Sequence, residues 1–288
     1  MQAQPKLAII GGTGLQSMPG LENLQTLEIE TPFGKPSSPI TIGELAGAPL
    51  AFLSRHGLGH HLLPSEVPYR ANIYALKSLG VERIVSVSAC GSLREDYSPG
   101  DIVIPNQIFD LTKSRKNSFF GEGIVAHVSV ADPFCPDLAA QLFAAAKICT
   151  PEVHKGGGYV TIEGPRFSTR AESNTYRSWG MSVIGMTASP EAFLAREAEL
   201  CYATMAHVTD YDVWHVTEAP VTVEMVMDIL NRNLSKAQAI IRTLASDLAV
   251  KRDCDCGSAL ENAVVTDAKA IPPETRARLD LLVGKYLH

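Results

Sequence analysis

Positive charge is in short supply: 25 Lys and Arg stand against 31 Asp and Glu, a formal net charge of −6 over 288 residues. Such a chain presents no broad basic surface, which excludes nucleic-acid binding and leaves any anion to a few placed donors. Long apolar runs are missing as well. None reaches the roughly 18 residues of a membrane span, and Met1-Gln-Ala-Gln-Pro-Lys6 runs into Leu7-Ala-Ile-Ile10 without a signal-type core, so a cytoplasmic protein with no membrane partner is expected. Cysteine is sparse, six in all, too few for a small disulfide scaffold. Cys90, Cys135, Cys149 and Cys201 have apolar or small neighbours, as buried thiols do. Cys254-Asp-Cys256 stands apart, readable as a redox couple, half a metal site, a local disulfide or two surface thiols. No second pair at zinc spacing accompanies it, so no metal is expected.

Several catalytic signatures are also absent. There is no Gly-x-Ser-x-Gly elbow, which removes a serine triad of that type. The loop Gly11-Gly-Thr-Gly14 has Ser17 where a dinucleotide fingerprint needs its third glycine, and it lacks the lysine of a P-loop.

What is present is an alternation of strands and helices. Leu7–Ile10, Ile40–Thr41, Pro49–Leu53, Arg83–Ser88, Gly100–Ile104 and Gly158–Ile162 read as strands. Tyr69–Leu79, ended by Gly80, and Ala139–Ala146 read as helices, as does a segment opened by the Ser189-Pro-Glu cap and running to about Tyr202. Val226, Leu230, Leu234, Ala237, Ile241, Leu244 and Leu248 trace one face of a long helix. Pro272-Pro-Glu starts the last one. The expected fold is therefore α/β, a single domain over 1–288 with a mixed, largely parallel central sheet flanked by helices. Residues 246–288 form a C-terminal extension and helix; Ser246–Pro273 reads as linker-like and Ser114–Gly123 as a mobile loop.

Ligands of parallel sheets collect at carboxyl ends of strands, where this chain puts its polar clusters. Thr13 in the glycine loop, Arg55 and His56 after a strand, Ser88-Ala89 and Thr187 each offer a hydroxyl, a backbone N–H, a guanidinium or an imidazole, together enough for one phosphate. Each alone reads first as an ordinary turn residue, and only their number in one α/β chain points to a site. His60 and His61 near His56 raise zinc, but no carboxylate or cysteine completes a set. Asp210 and Asp212 follow the apolar run Leu200–Ala206, and in an extended segment that spacing puts both on one side.

These segments resemble the methylthioadenosine phosphorylases of the purine nucleoside phosphorylase superfamily. The resemblance runs through Ile9-Ile-Gly-Gly-Thr-Gly-Leu15, Thr31-Pro-Phe-Gly-Lys-Pro-Ser37, Ser54-Arg-His-Gly57, Ala89-Cys-Gly-Ser-Leu93, Pro99-Gly-Asp-Ile-Val103, Thr161-Ile-Glu-Gly-Pro-Arg-Phe167 and Thr209-Asp-Tyr-Asp212. It implies a nucleoside phosphorylase-like fold and phosphorolysis of methylthioadenosine, with a purine nucleoside phosphorylase acting on adenosine or 6-oxopurine nucleosides as the alternative. Phosphate is then a co-substrate held by Thr13, Arg55, His56, Ser88, Ala89 and Thr187, and no cofactor is needed. The resemblance further implies that Phe167 and Met186 pack on the nucleoside, that Ser168 lies near the base, and that Asp210, its pKa raised by burial and by Asp212, protonates the leaving purine. Val223 and Val226 would line an apolar 5′ pocket. His127 would reach a neighbouring subunit's substrate in a homotrimer or dimer of trimers. Gly185 departs from members with asparagine there.

Overall fold

Strand β1 (Leu7–Gly11) is buried along its whole length, because both faces of the sheet around it are covered. The structure, a computed structural model, describes residues 4–215 and 222–287, and their side chains apart from those of Thr13, Leu230 and Asn231. Along β1 the side chains alternate with the period of a strand: Ala8 and Ile10 enter one apolar cluster, Leu7 and Ile9 the other. Helices α1 (Tyr69–Ser78), α4 (Ala188–Glu197) and α6 (Pro273–Val283) cover the first face. Helices α2 (Pro136–Cys149) and α5 (Val223–Asp247) cover the second. Each fully buried Leu, Ile or Phe in these layers is worth about 1.5–3 kcal/mol, and the parallel sheet reads as apolar runs for that reason.

The remaining strands are β2 (Leu21–Leu27), β3 (Ile40–Leu45), β4 (Ala48–Ser54), β5 (Arg83–Ser92), β6 (Ile102–Ile104), β7 (Gln107–Asp110), β8 (Val153–Lys155), β9 (Gly158–Thr161), β10 (Met181–Gly185) and β11 (Cys201–Asp210), with α3 (Arg170–Ser178) between β9 and β10. Among the described residues the sheet has the order β2-β3-β4-β1-β5-β10-β9-β7, and β11, β6 and β8 branch from β5. Pairing is parallel for β1 with β4 and β5, β5 with β11, β10 with β9, β9 with β7 and β6 with β8, and antiparallel elsewhere. The expected mixed, largely parallel sheet is what forms. No helix among the described residues is long and apolar enough to cross a membrane.

Three sequence expectations are corrected. The helix opened at Ser189 ends at Glu197 and the chain re-enters the sheet at Cys201, because Leu200–Ala206 is apolar on both sides and fills the sheet centre. Ser246–Pro273 is no linker: Cys256, Leu260, Ala263 and Ile271 are buried in the two clusters. Glu199 fastens the segment, accepting from Leu260 N–H at 3.2 Å. Ser114–Gly123 is pinned as well, with Phe119 buried and both Phe119 N–H and Ser118 Oγ donating to Glu197.

His207, mid-strand in β11, is buried, and among the described residues neither ring nitrogen has a hydrogen-bond partner. Burial lowers its pKa from 6.5 to about 4, and Lys236 acts in the same direction. The folded protein thus keeps the ring neutral while the unfolded chain takes a proton near pH 6.5, so stability falls as pH drops from about 6.5 to 4. Glu197, pushed up to about 7 by burial, works oppositely, since its folded carboxyl holds a proton that the unfolded one releases. The His207 share is read as a difference. His207→Gln is expected to lose about 2 kcal/mol less stability than the parent chain between roughly pH 6.5 and 4.5, in paired denaturant titrations; parallel curves would remove His207 from this role.

Candidate active site

The sheet carries a gap at its centre. One edge of β5 pairs with β1 only as far as Ser86 and is taken up again by β10 at Gly91 and Ser92. Between them neither strand faces β5, so Val87–Cys90 borders an opening. The chain leaving β1 at Gly12 climbs into this gap, and the chain leaving antiparallel β10 at Met186 and Thr187 descends into it. Arg55 and His56 arrive from β4, whose last residue, Ser54, is level with Gly11. This is the crevice in which open sheets hold ligands. Ser88 and Ala89 therefore do not stand at a strand end, as their sequence context predicts, but inside β5 on its uncovered stretch. Ser88 Oγ is buried there without a hydrogen-bond partner among the described residues.

Asp210 closes β11 on the other side of β5. It pairs in register with Gly91, and a Cβ on Gly91 would stand 2.8 Å from Asp210 Oδ1, so only glycine leaves room for the carboxylate. Asp210 is 7% exposed. Burial raises its pKa, against two hydrogen bonds that favour the charged form. Thr209 Oγ1 donates to Oδ2 at 2.6 Å and Asp212 N–H to Oδ1 at 2.8 Å. The Thr209 hydroxyl also lies 3.2 Å from Cys90 O. Its single proton can face the carboxylate when Asp210 is ionised and turn to that carbonyl when Asp210 is protonated.

The aspartate pair is not the extended, same-side arrangement the spacing predicts. Asp212 sits past the strand with φ +51°, so the chain folds back and offers Asp210 a backbone N–H. Asp212 thereby favours ionisation of Asp210 instead of raising its pKa. Asp212 itself is raised by burial, with Asp210's charge adding to it. The hydroxyls of Ser173 and Ser168 lie close enough to favour its ionised form without completing a hydrogen bond. Trp214 anchors the turn, its Nε1 donating to Ser92 O at 2.7 Å under the guanidinium of Arg177.

On the anion side Arg55 is less free than its sequence context implies. Nε and Nη2 donate to both oxygens of Glu191 at 2.8 and 2.9 Å, Nη2 also reaches Ser86 Oγ, and Nη1 donates to Val87 O. Among the described residues the second Nη1 hydrogen has no acceptor, which leaves it for a ligand. Burial alone would depress the guanidinium, but Glu191 more than offsets it and Arg55 stays charged. Glu191, fully buried and also held by Tyr202 Oη at 2.8 Å, read in the sequence only as part of the Ser189-Pro-Glu helix start. Its buried partner lies 136 residues away, beyond any local signal. His56 is corrected too: Nδ1 is 2.9 Å from Leu62 O, which can only accept, so that nitrogen carries the proton. Burial and Arg55 lower the ring's pKa to about 4, and the neutral ring presents Nε2 as an acceptor, not a donor.

Thr187 is buried at the N-terminus of α4. The Thr13 side chain lies outside the described residues. Phe167, 37% exposed, and half-buried Met186 border the same region. His127 is exposed on its loop, and Val223 is 67% exposed at the first turn of α5 with Val226 half-buried, so the fold does not itself enclose them. Two contributors went unread in the sequence. Arg115, its side chain 1% exposed, donates to Met186 O, Ser189 O and Glu163 O at 2.6–2.7 Å and so ties together the loops after β9 and β10. Tyr159, on β9, puts its hydroxyl where a Gly185 side chain would begin: a Cβ there would be 1.9 Å away. The glycine at 185 and the tyrosine are one packing decision.

A gapped α/β sheet with a buried carboxylate and anion donors around its opening defines a class of ligand-converting enzyme, and the chain belongs to the phosphorylase superfamily, whose family model matches residues 6–246. Its relatives narrow that class. S-methyl-5'-thioadenosine phosphorylase of Geobacter sulfurreducens is 54% identical over 282 residues, covering 98% of this chain and 99% of the relative. A methylthioadenosine phosphorylase from an antarctic soil metagenomic library superposes with TM-score 0.92 at 50% identity, over 96% of this chain and 98% of the other. An adenosine/methylthioadenosine phosphorylase mutant from Schistosoma mansoni, solved in complex with methylthioadenosine, gives 0.81 at 34% identity over 97% and 98%.

Proposed function

We propose that the chain catalyses phosphorolysis of S-methyl-5'-thioadenosine to adenine and 5-methylthioribose 1-phosphate. The observation that carries this reading is the placement of Asp210 over Gly91, three residues along β5 from the uncovered Ser88. At the rise of a strand that is about 10 Å, room for a ribose between a bound anion and a base. Phosphate held by Thr13, Ser88, Ala89, Thr187 and the free Nη1 hydrogen of Arg55 attacks C1′. A C1′–O bond forms as the C1′–N9 bond breaks, and its electron pair passes to the purine. Asp210, its pKa raised by burial, gives its proton to N7. The new ester lacks the phosphate hydroxyl proton, and that proton replaces the one Asp210 gave.

A neutral carboxyl donates to N7 with one oxygen and accepts from the 6-amino group with the other, whereas a 6-oxo group offers it no proton. Phe167 and Met186 cover the base, Ser168 and Asp212 bound its polar edge, and Val223 with Val226 meet the methylthio group. Exposed His127 faces a second copy of the chain in a trimer or dimer of trimers. The chemistry requires no metal or organic cofactor. Phosphate-dependent adenine release from methylthioadenosine is expected to exceed hypoxanthine release from inosine by at least about tenfold in kcat/KM; faster inosine turnover would overturn this choice of substrate.

A further inference from the structure

The two cysteines around Asp255 do not lie on an exposed surface. The fold brings Cys254 and Cys256 to Cys135 and Cys201, and all four Sγ atoms lie within 4.8 Å of one another. Cys201 and Cys254 are 3.4 Å apart. Three are buried and Cys254 is half-buried. They come from three separate places: Cys135 is the N-cap of α2, Cys201 opens β11, and Cys254 and Cys256 flank the start of a short 3₁₀ turn at Asp255–Ser258. No sequence spacing announces such a set.

The distances select a type of ligand. A tetrahedral ion with metal–sulfur bonds of about 2.3 Å places its four sulfurs about 3.8 Å apart, inside the observed range. A cluster of four irons holds its thiolates on separate metal corners, farther apart than these sulfurs stand. The surroundings suit thiolates. Leu138 N–H, in the first turn of α2, points at Cys135 Sγ at 3.4 Å, so that sulfur sits at a positive helix end. Arg196 Nη1 lies 3.3 Å from Cys256 Sγ and 3.3 Å from Asp255 Oδ1. One guanidinium and one helix N-terminus thus oppose the excess negative charge of four thiolates around a divalent ion. Cys254 also lines a surface depression with Glu82, Arg252 and Ser258, which gives an ion a way in.

We propose that Cys135, Cys201, Cys254 and Cys256 form a tetrathiolate site for one soft divalent ion, zinc in the first instance. The ion fastens the segment after α5 to the start of β11 and the N-terminus of α2. Its role is structural. Asp210 lies nine residues further along β11, about 30 Å away at the rise of a strand, so the ion takes no part in the reaction.

The test uses the full chain purified without chelator from zinc-supplemented cells. Elemental analysis should find about one zinc per chain, and Cys254→Ser combined with Cys256→Ser should lower that below about a tenth, while Cys149→Ser retains it. With no reductant added, all six cysteines should react with a thiol reagent after denaturation in chelator. Cobalt(II) exchanged into the site should give sulfur-to-cobalt charge-transfer bands and the visible bands of a tetrahedral ion. Removing the metal should lower Tm and leave kcat/KM within about twofold. The proposal is overturned if only two thiols react, which would mean that the quartet is two disulfides, or if the reduced chain neither contains zinc nor takes it up under anaerobic conditions. Both readouts use the unaltered chain, so they decide the question even if the double variant fails to fold.

Discussion

Asp210→Asn is expected to lower kcat for methylthioadenosine by a factor of about 10² to 10⁴, the usual worth of a positioned proton donor. The substitution keeps the volume and leaves Oδ1 able to accept from Asp212 N–H. It removes the proton and presents an amide to the base. Two further readouts separate this role from damage to the fold. Because only the protonated carboxyl gives a proton to N7, activity of the parent enzyme should fall as pH rises through the elevated Asp210 pKa, and that limb should be missing in the variant. An amide N–H suits a 6-oxo group, so relative kcat/KM should shift towards inosine. Parent-like selectivity with a parent-like pH profile would take Asp210 out of the mechanism. Thr209→Val is the informative companion, since it removes the hydroxyl that can turn between Asp210 Oδ2 and Cys90 O.

What the sequence disclosed follows the range of the forces involved. Strands such as Leu7–Ile10 and helices such as Tyr69–Leu79 were readable because period, caps and breakers act over a few residues. The polar clusters at Arg55-His56, Thr187 and Asp210 were readable as candidates because strand ends are where such folds keep ligands; Ser88-Ala89 was read on the same ground, but β5 runs on past it to Ser92. Their partners were not. Glu191 faces Arg55 across 136 residues, Arg115 reaches Met186 across 71, and Cys254 meets Cys201 across 53. The expected roles erred for the same reason. Arg55 read as a free fork because Glu191 could not be seen, His56 as a donor because Leu62 O could not, and Asp212 as a same-side carboxylate because nothing local announces a positive φ at that residue. Cys254-Asp-Cys256 stayed open among a redox couple, half a metal site, a local disulfide and two surface thiols, with no metal expected, because the thiols beside it, Cys135 and Cys201, come from the start of α2 and from β11.

The Arg55–Glu191 pair carries the other large expected effect. Both side chains are almost fully buried, 3% and 0% exposed, and their attraction has to offset the loss of hydration of two ions. Glu191→Ala leaves the guanidinium desolvated and unmatched, which is expected to cost about 3–5 kcal/mol. In a chain of this size that lowers Tm by roughly 10 °C. Activity should suffer separately, because Glu191 also aims Arg55. With its fork released, the one hydrogen that Nη1 keeps for phosphate is no longer fixed, and KM for phosphate should rise more than KM for the nucleoside. Glu191→Gln preserves shape and one acceptor oxygen and should fall between the two. The decisive comparison is the double variant Arg55→Met with Glu191→Leu. If the stability loss in Glu191→Ala comes from an unpaired buried charge, removing both charges should recover most of it while phosphate binding stays impaired. If instead the double variant is as unstable as the single one, the loss belongs to packing; and if KM for phosphate is unchanged in Glu191→Ala, Glu191 positions nothing. Calorimetry and phosphate-varied kinetics on the three variants separate these outcomes, since only the positioning role couples Glu191 to the anion it never touches.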